Sequence, residues 1–204
     1  MRRIPLSRRS HVIGFQPLHT GTVQHESALE RDFVTLTNFL DAGVSITSQP
    51  ITLAYLDGVK ARRYTPDFLV RRSCGPSELV EVKYRKDLHA NWSRLRPGFL
   101  AARKWAHEHG GTFRIATERW IRCPRLENAK RLLPLRQAPV DPDVAQLVLA
   151  AGRSVAAPTF GQVLAALQVP KGIALATLWR LIARGTVRAD LSAPIGFDTT
   201  LWLP

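Results

Sequence analysis

Between Glu26 and Asp41, the apolar residues Leu29, Phe33, Leu36 and Leu40 recur at three- and four-residue steps, which predicts a helix with one buried stripe. Glu26 and Glu30 fall one turn apart beside that stripe. The period then shortens to two. Ile51, Leu53 and Tyr55 alternate with less apolar residues, and Asp57-Gly58 predicts a tight turn between two extended segments. Pro66 pushes Thr65 towards an extended backbone, and Phe68-Leu69-Val70 continues as a strand. After a turn at Cys74-Gly75-Pro76-Ser77, Leu79 to Tyr84 reads as another strand. Phe99 to His109 predicts a helix stopped by Gly110-Gly111; a strand over Phe113–Thr117 and a short helix over Arg125–Leu133 follow.

Consecutive strands imply an antiparallel part, and the helix before Phe113 offers a crossover to a last strand parallel to a neighbour. A mixed α/β sandwich is expected. Residues 1–20, with Arg2, Arg3, Arg8 and Arg9 and no acid, read as a basic N-terminal arm. Residues 134–142, with three prolines, read as a linker. Beyond it, helices over Val144–Ala150, Thr159–Leu167 and Ala174–Ala183 precede two short extended pieces, Val187–Leu191 and Leu201–Leu203. Three helices and a small hairpin suggest a winged-helix-like domain over residues 143–204, with a plain helical cap as the alternative because the candidate recognition helix carries few polar residues.

Composition narrows the partner. Lys and Arg number 29 against 16 Asp and Glu, a net charge of +13, and such a surface attracts polyanions. Charge of this kind names a partner class, nucleic acid, and no reaction. Cys74 and Cys123 form no CxxC pair, which argues against a disulfide framework or a cysteine-rich zinc site. No apolar run approaches the ~20 residues of a membrane helix, so a soluble, cytoplasmic protein without membrane partners is expected.

The chemistry concentrates in two segments, Tyr64 to Val70 and Leu79 to Lys83. Along a strand side chains alternate, so Glu81 and Lys83 project one way while Val80 and Val82 face the core. If the two strands pair, Asp67 comes beside Glu81. Two carboxylates held together repel, and a hard divalent cation such as Mg²⁺ relieves the repulsion. Such an ion polarises a phosphate and activates water, and Lys83 is placed to orient that water or neutralise developing charge. Glu26 or Glu30 would add a carboxylate from the first helix. Arg85, Lys86, Arg94, Arg96, Arg103 and Lys104 follow closely and predict a phosphate-gripping rim for double-stranded DNA. His107 and His109, two apart on a helix, point in different directions and make a poor metal pair.

Pro66-Asp67 with Glu81-Val82-Lys83 resembles the pattern that names the PD-(D/E)XK nucleases. More narrowly, the segments Glu26–Phe33, Gln49-Pro50, Tyr64–Val70, Leu79–Lys83 and Thr117-Glu118 resemble TnsA-type transposon-end endonucleases over residues 20–133. The resemblance implies a restriction-endonuclease-like mixed sheet flanked by helices over residues 21–133, followed by the winged-helix-like region. It implies an active site of Glu30 (Glu26 as the fallback), Asp67, Glu81 and Lys83, with the carboxylates binding Mg²⁺ or, in its place, Mn²⁺. It further implies cutting of the non-transferred strand at transposon ends, beside a TnsB-like DDE transposase and a TnsC-like AAA+ ATPase. Some TnsA proteins carry Gln where this chain has Glu81. Two other expectations fit the same residues: a PD-(D/E)XK nuclease of defence or repair, and a catalytically silent DNA-binding scaffold.

Overall fold

The computed structural model describes residues 13–204, and the chain divides into two compact units between Arg122 and Cys123. Among the described residues no helix is long and apolar enough to cross a membrane.

The first unit opens with a hairpin of β1 (Gly14–Leu18) and β2 (Gly21–His25). The basic arm expected over residues 1–20 therefore gives way to a strand at Gly14, and residues 1–12 lie outside the described residues. The pairing is anchored by Val23, which is buried, and by Leu18, which packs on the same core. Helix α1 (Ala28–Leu40) starts two residues later than its apolar stripe suggested, because Ser27 caps it. Ser27 Oγ accepts the Glu30 N–H at 3.2 Å, and the Glu30 carboxylate accepts the Glu26 N–H at 2.7 Å. This is a reciprocal cap, and it leaves Glu26 outside the helix.

The strands β3 (Ser45–Ser48), β4 (Leu53–Asp57), β5 (Lys60–Tyr64), β6 (Phe68–Arg71) and β7 (Glu78–Val82) follow. Then come α2 (Arg85–Glu108), β8 (Thr112–Ala116) and the short α3 (Glu118–Ile121). The central sheet is mixed, in the order β3-β6-β7-β8, with only the β7–β8 pair parallel. The α2 crossover supplies that parallel return. The β4–β5 hairpin stands outside this sheet and packs on α2.

Helix α2 is far longer than the predicted Phe99–His109. Its N-terminal half carries only a thin apolar stripe, Leu88, Trp92 and Leu95, among polar residues, and Pro97-Gly98 has the composition of a break, so the helix reads as beginning at Phe99. Glu118 supplies part of the missing support: its carboxylate accepts the Arg85 N–H at 2.9 Å and caps the helix. Gly98 lets Tyr64 approach closely, since a Cβ there would stand 3.0 Å from the Tyr64 ring.

The two faces of the sheet differ. On one side Phe68, Val70, Val80 and Val82 bury themselves against Leu29, Phe33 and Val34 of α1. On the other, Leu69 and Leu79 pack with Ala106 of α2, beside Trp105 and Phe113.

The second unit contains α4 (Pro124–Leu132), a 3-10 turn at Leu133–Leu135, α5 (Pro142–Arg153), α6 (Phe160–Ala165) and α7 (Lys171–Ala183). It ends in a two-stranded antiparallel ribbon of β9 (Arg188–Ala189) and β10 (Leu201–Trp202), with Thr159 bridging to Thr200. Helix α4 falls in this unit, ahead of the domain boundary that the prolines suggested. The reason is Asn128, which is fully buried. It donates to the Ala193 carbonyl at 2.8 Å and accepts the Ile195 N–H at 3.0 Å, tying α4 to the loop between β9 and β10. The proline-rich segment 134–142 is likewise held within the unit: Arg180 of α7 and Arg184, which caps the end of that helix, donate to the carbonyls of Pro139 and Ala138 at 2.9 and 2.6 Å.

Candidate active site

Phe68 pairs with Val80 across β6 and β7, so the same register sets Asp67, one residue before β6, opposite Glu81. By alternation both acids belong to the α2 side of the sheet, away from Val80 and Val82. Asp67 and Glu81 share one side, the geometric condition that the motif imposed.

Glu81 is buried, with 3% exposure, and both its oxygens are engaged. Oε1 takes the Lys83 ammonium at 2.8 Å; Oε2 accepts the Tyr64 hydroxyl at 2.6 Å. Asp67 Oδ2 accepts the Val82 N–H at 2.7 Å. Burial, then the charges of Glu81 and Glu30, hold the Asp67 carboxyl well above the usual carboxylate range. Burial opposes the charge on Lys83, yet contact with Glu81 and the fields of Asp67 and Glu30 outweigh it and hold its ammonium above the ordinary lysine value. Burial also raises Glu30, against the hydrogen bonds from Glu26 and Ser27. Tyr64 is pushed up by burial and by Glu81, which keeps the phenol a donor.

The two helix acids separate. The charge of Glu30 acts on both Asp67 and Lys83. Glu26 instead accepts the Gln49 side-chain amide. Gln49 has a left-handed backbone, φ 43°, unusual for a residue with a side chain, and its N–H donates to the Asp67 carbonyl at 2.8 Å. Tyr64 and Gln49 were the residues that motif reasoning left without a role.

Among the described residues no three His, Cys, Asp or Glu side chains are grouped as a protein cage for a metal ion. The chain offers instead a pair of acids on adjacent strands, with their mutual repulsion only partly balanced by Lys83. That donor set suits Mg²⁺, which is held through one or two carboxylates and keeps much of its water, and it does not suit a closed zinc site.

Residues 42–118 match the family described as TnsA-like endonuclease N terminal. This TnsA-like region includes Asp67, Glu81, Lys83 and Tyr64 and begins after α1, so Glu26 and Glu30 lie outside the match. No curated protein matches the chain. The TnsA-like region thus supports a nuclease on a mixed α/β fold.

The six cations expected at the rim are all exposed on α2. Arg85 and Lys86 occupy its first turn, next to the site. Arg103 and Lys104 lie about 27 Å farther along the helix, at 1.5 Å per residue. Lys104 pairs with Glu108 at 3.9 Å. His109, far from forming a metal pair with His107, stacks on Trp105 at 3.9 Å.

Proposed function

We propose that this protein is a divalent-metal-dependent DNA endonuclease that hydrolyses phosphodiester bonds at transposon ends. The observation that carries the reading is the Asp67–Glu81 pair on neighbouring strands with Lys83 bound to Glu81, inside a region similar to TnsA-like endonucleases.

Asp67 and Glu81 would hold Mg²⁺ or Mn²⁺, with Glu30 contributing from α1. The ion, when bound, polarises the phosphate and lowers the pKa of a coordinated water. Lys83 stays an ammonium near neutral pH, because the surrounding carboxylates raise its pKa. It therefore acts as a cation and hydrogen-bond donor, steadying charge that develops on the phosphate. The Val82 N–H and the Tyr64 hydroxyl fix one oxygen each of Asp67 and Glu81, so neither carboxylate has to be oriented during the reaction. Arg85 and Lys86, with Arg94, Arg96, Arg103 and Lys104 farther along α2, would track the DNA backbone.

In transposition the reaction is cutting of the non-transferred strand, in company with a TnsB-like DDE transposase and a TnsC-like AAA+ ATPase. The second unit, read as a winged helix, would dock to DNA or to those partners. Docking is favoured over base reading, because the exposed positions of α7 include Ile173 and Leu175 and few hydrogen-bonding side chains.

The test is cleavage of a plasmid carrying transposon ends, with and without a TnsB-like transposase. Asp67→Ala and Lys83→Ala should each abolish Mg²⁺-dependent nicking while leaving DNA affinity close to wild type. Robust nicking by Asp67→Ala refutes the assigned site.

A further inference from the structure

We infer that the β4–β5 hairpin is a ribbon that grips duplex DNA and leads it to the Asp67–Glu81 site; the identity of the partner rests on the nuclease reading above. The hairpin belongs to no larger sheet, and every residue from 56 to 63 is exposed. A two-stranded ribbon is marginal by itself, and this one is tied down mainly at its base, by buried Leu53 and by Tyr64. Its outer part does little for the core: Leu56 is 73% exposed and Val59, at the tip, 98%.

The charge on that outer part is one-sided. Lys60, Arg62 and Arg63 stand within four positions, and the only acid of the hairpin is Asp57, 3.8 Å from Arg62. Lys60 and Arg63 meet no carboxylate among the described residues. Alternation puts Lys60, Arg62 and Tyr64 on one side of β5, at steps of about 7 Å, with Arg63 on the other. The row ends at the phenol that holds Glu81. A phosphate strand bound by Lys60 and Arg62 is thereby delivered towards the reacting centre.

The partner is duplex DNA for two reasons. A groove ~12 Å wide admits a two-stranded ribbon, and the narrow Asp57-Gly58 turn, with Gly58 at φ 62°, keeps this tip slim enough to enter. Exposed cations spaced along a strand, two of them (Lys60 and Arg63) without a carboxylate partner among the described residues, are also what a polyphosphate rewards, through counterion release.

The experiment compares wild type with the triple variant Lys60→Ala, Arg62→Ala, Arg63→Ala. Binding of a short fluorescein-labelled duplex is followed by anisotropy across a salt series. The expected result is weaker binding and a log–log salt slope shallower by up to about 2.7, roughly 0.9 per lost phosphate contact. Thermal melts should coincide, because all three side chains are exposed, and each single variant should show its share of the slope. An unchanged slope in a variant that melts like wild type overturns the inference and leaves the nuclease reading standing. Weakened binding of a labelled single strand with duplex binding untouched overturns it too. If the wild-type protein neither binds nor cuts duplex DNA, both readings fall together.

Discussion

The two faces of the central sheet are made by the same strands and obey opposite rules. Phe68, Val70, Val80 and Val82 meet α1 in a dry apolar layer, each at most 5% exposed. One residue along, Asp67, Glu81 and Lys83 put charge into a half-buried space on the α2 side. A period of two lets one strand do both jobs: hydrocarbon on one side supplies the stability that charge on the other consumes. The charged side is tolerable because nearly every polar atom is occupied, by Lys83 and Tyr64 on Glu81 and by the Val82 N–H on Asp67. The comparison predicts that damage to the two faces will look different in the laboratory.

The largest effect should follow from damage to the apolar face. Phe68 is 1% exposed and stacks on Phe33 with ring centroids 5.5 Å apart. Phe68→Ala should cost about 3–5 kcal/mol, a large part of the ~5–15 kcal/mol that holds a domain together. Denaturant melts measure it, and the variant should lose cleavage only in proportion to the protein unfolded. Asp67→Asn is the counterpart, expected to melt within a few degrees of wild type and to lose cleavage outright. If Phe68→Ala melts normally, the apolar layer is not the support described.

Much of this arrangement was legible in the chain. The alternation Val80-Glu81-Val82-Lys83 told which residues share a side, and Asp57-Gly58 marked the hairpin. Other features depend on distant parts meeting. Tyr64 reaches Glu81 only because β5 folds back on α2 and Gly98 makes room. The left-handed backbone at Gln49 leaves no trace in its residue type. The first half of α2 has only the thin stripe Leu88, Trp92 and Leu95, interrupted in composition by Pro97-Gly98, and its cap, Glu118, comes 33 residues later than Arg85. Asn128 draws α4 into the second unit through a loop that local pattern cannot see. One missed signal was available. Ser27-Ala28-Leu29-Glu30 has the spacing of a reciprocal helix cap, which fixes the helix start and sets Glu30 apart from Glu26.

On the charged face, Tyr64→Phe sharpens the comparison by removing one donor and leaving the packing. Without the hydroxyl, Glu81 Oε2 loses its 2.6 Å partner and the carboxylate is held by Lys83 alone. Partners that orient metal-binding carboxylates typically contribute ten- to a hundredfold in affinity, so Mn²⁺ binding should weaken by about tenfold. Gly98→Ala should act in the same direction from the other side of the ring, because its new Cβ crowds Tyr64. Calorimetric titration with Mn²⁺ reads both variants without reference to cleavage. Equal affinity in wild type and Tyr64→Phe would show that the phenol is mere packing.

The smallest effect is one of opposite sign, a stabilisation. In the folded, metal-free protein Asp67 binds its proton more tightly than its ordinary value of 3.8 allows, through burial and the charges of Glu81 and Glu30. Between that ordinary value and the raised one, the folded state therefore carries more proton than the unfolded state. Stability must fall as pH rises through this window. Asp67→Asn has no proton to lose and its amide oxygen can still accept the Val82 N–H. Its melting temperature should match wild type in acid, then exceed it by a few degrees once pH passes the raised value, an order of shift set by about 1 kcal/mol. Lys83 adds a second fall at higher pH: its raised pKa gives stability that is lost as pH climbs through the lysine range, so the melts must be compared below it. Adding Mg²⁺ should reverse the order, since the wild type gains from binding to its folded form and Asp67→Asn does not. If Asp67→Asn melts below wild type throughout, with and without Mg²⁺, the carboxylate is a structural anchor, and the contrast between the two faces loses its functional meaning.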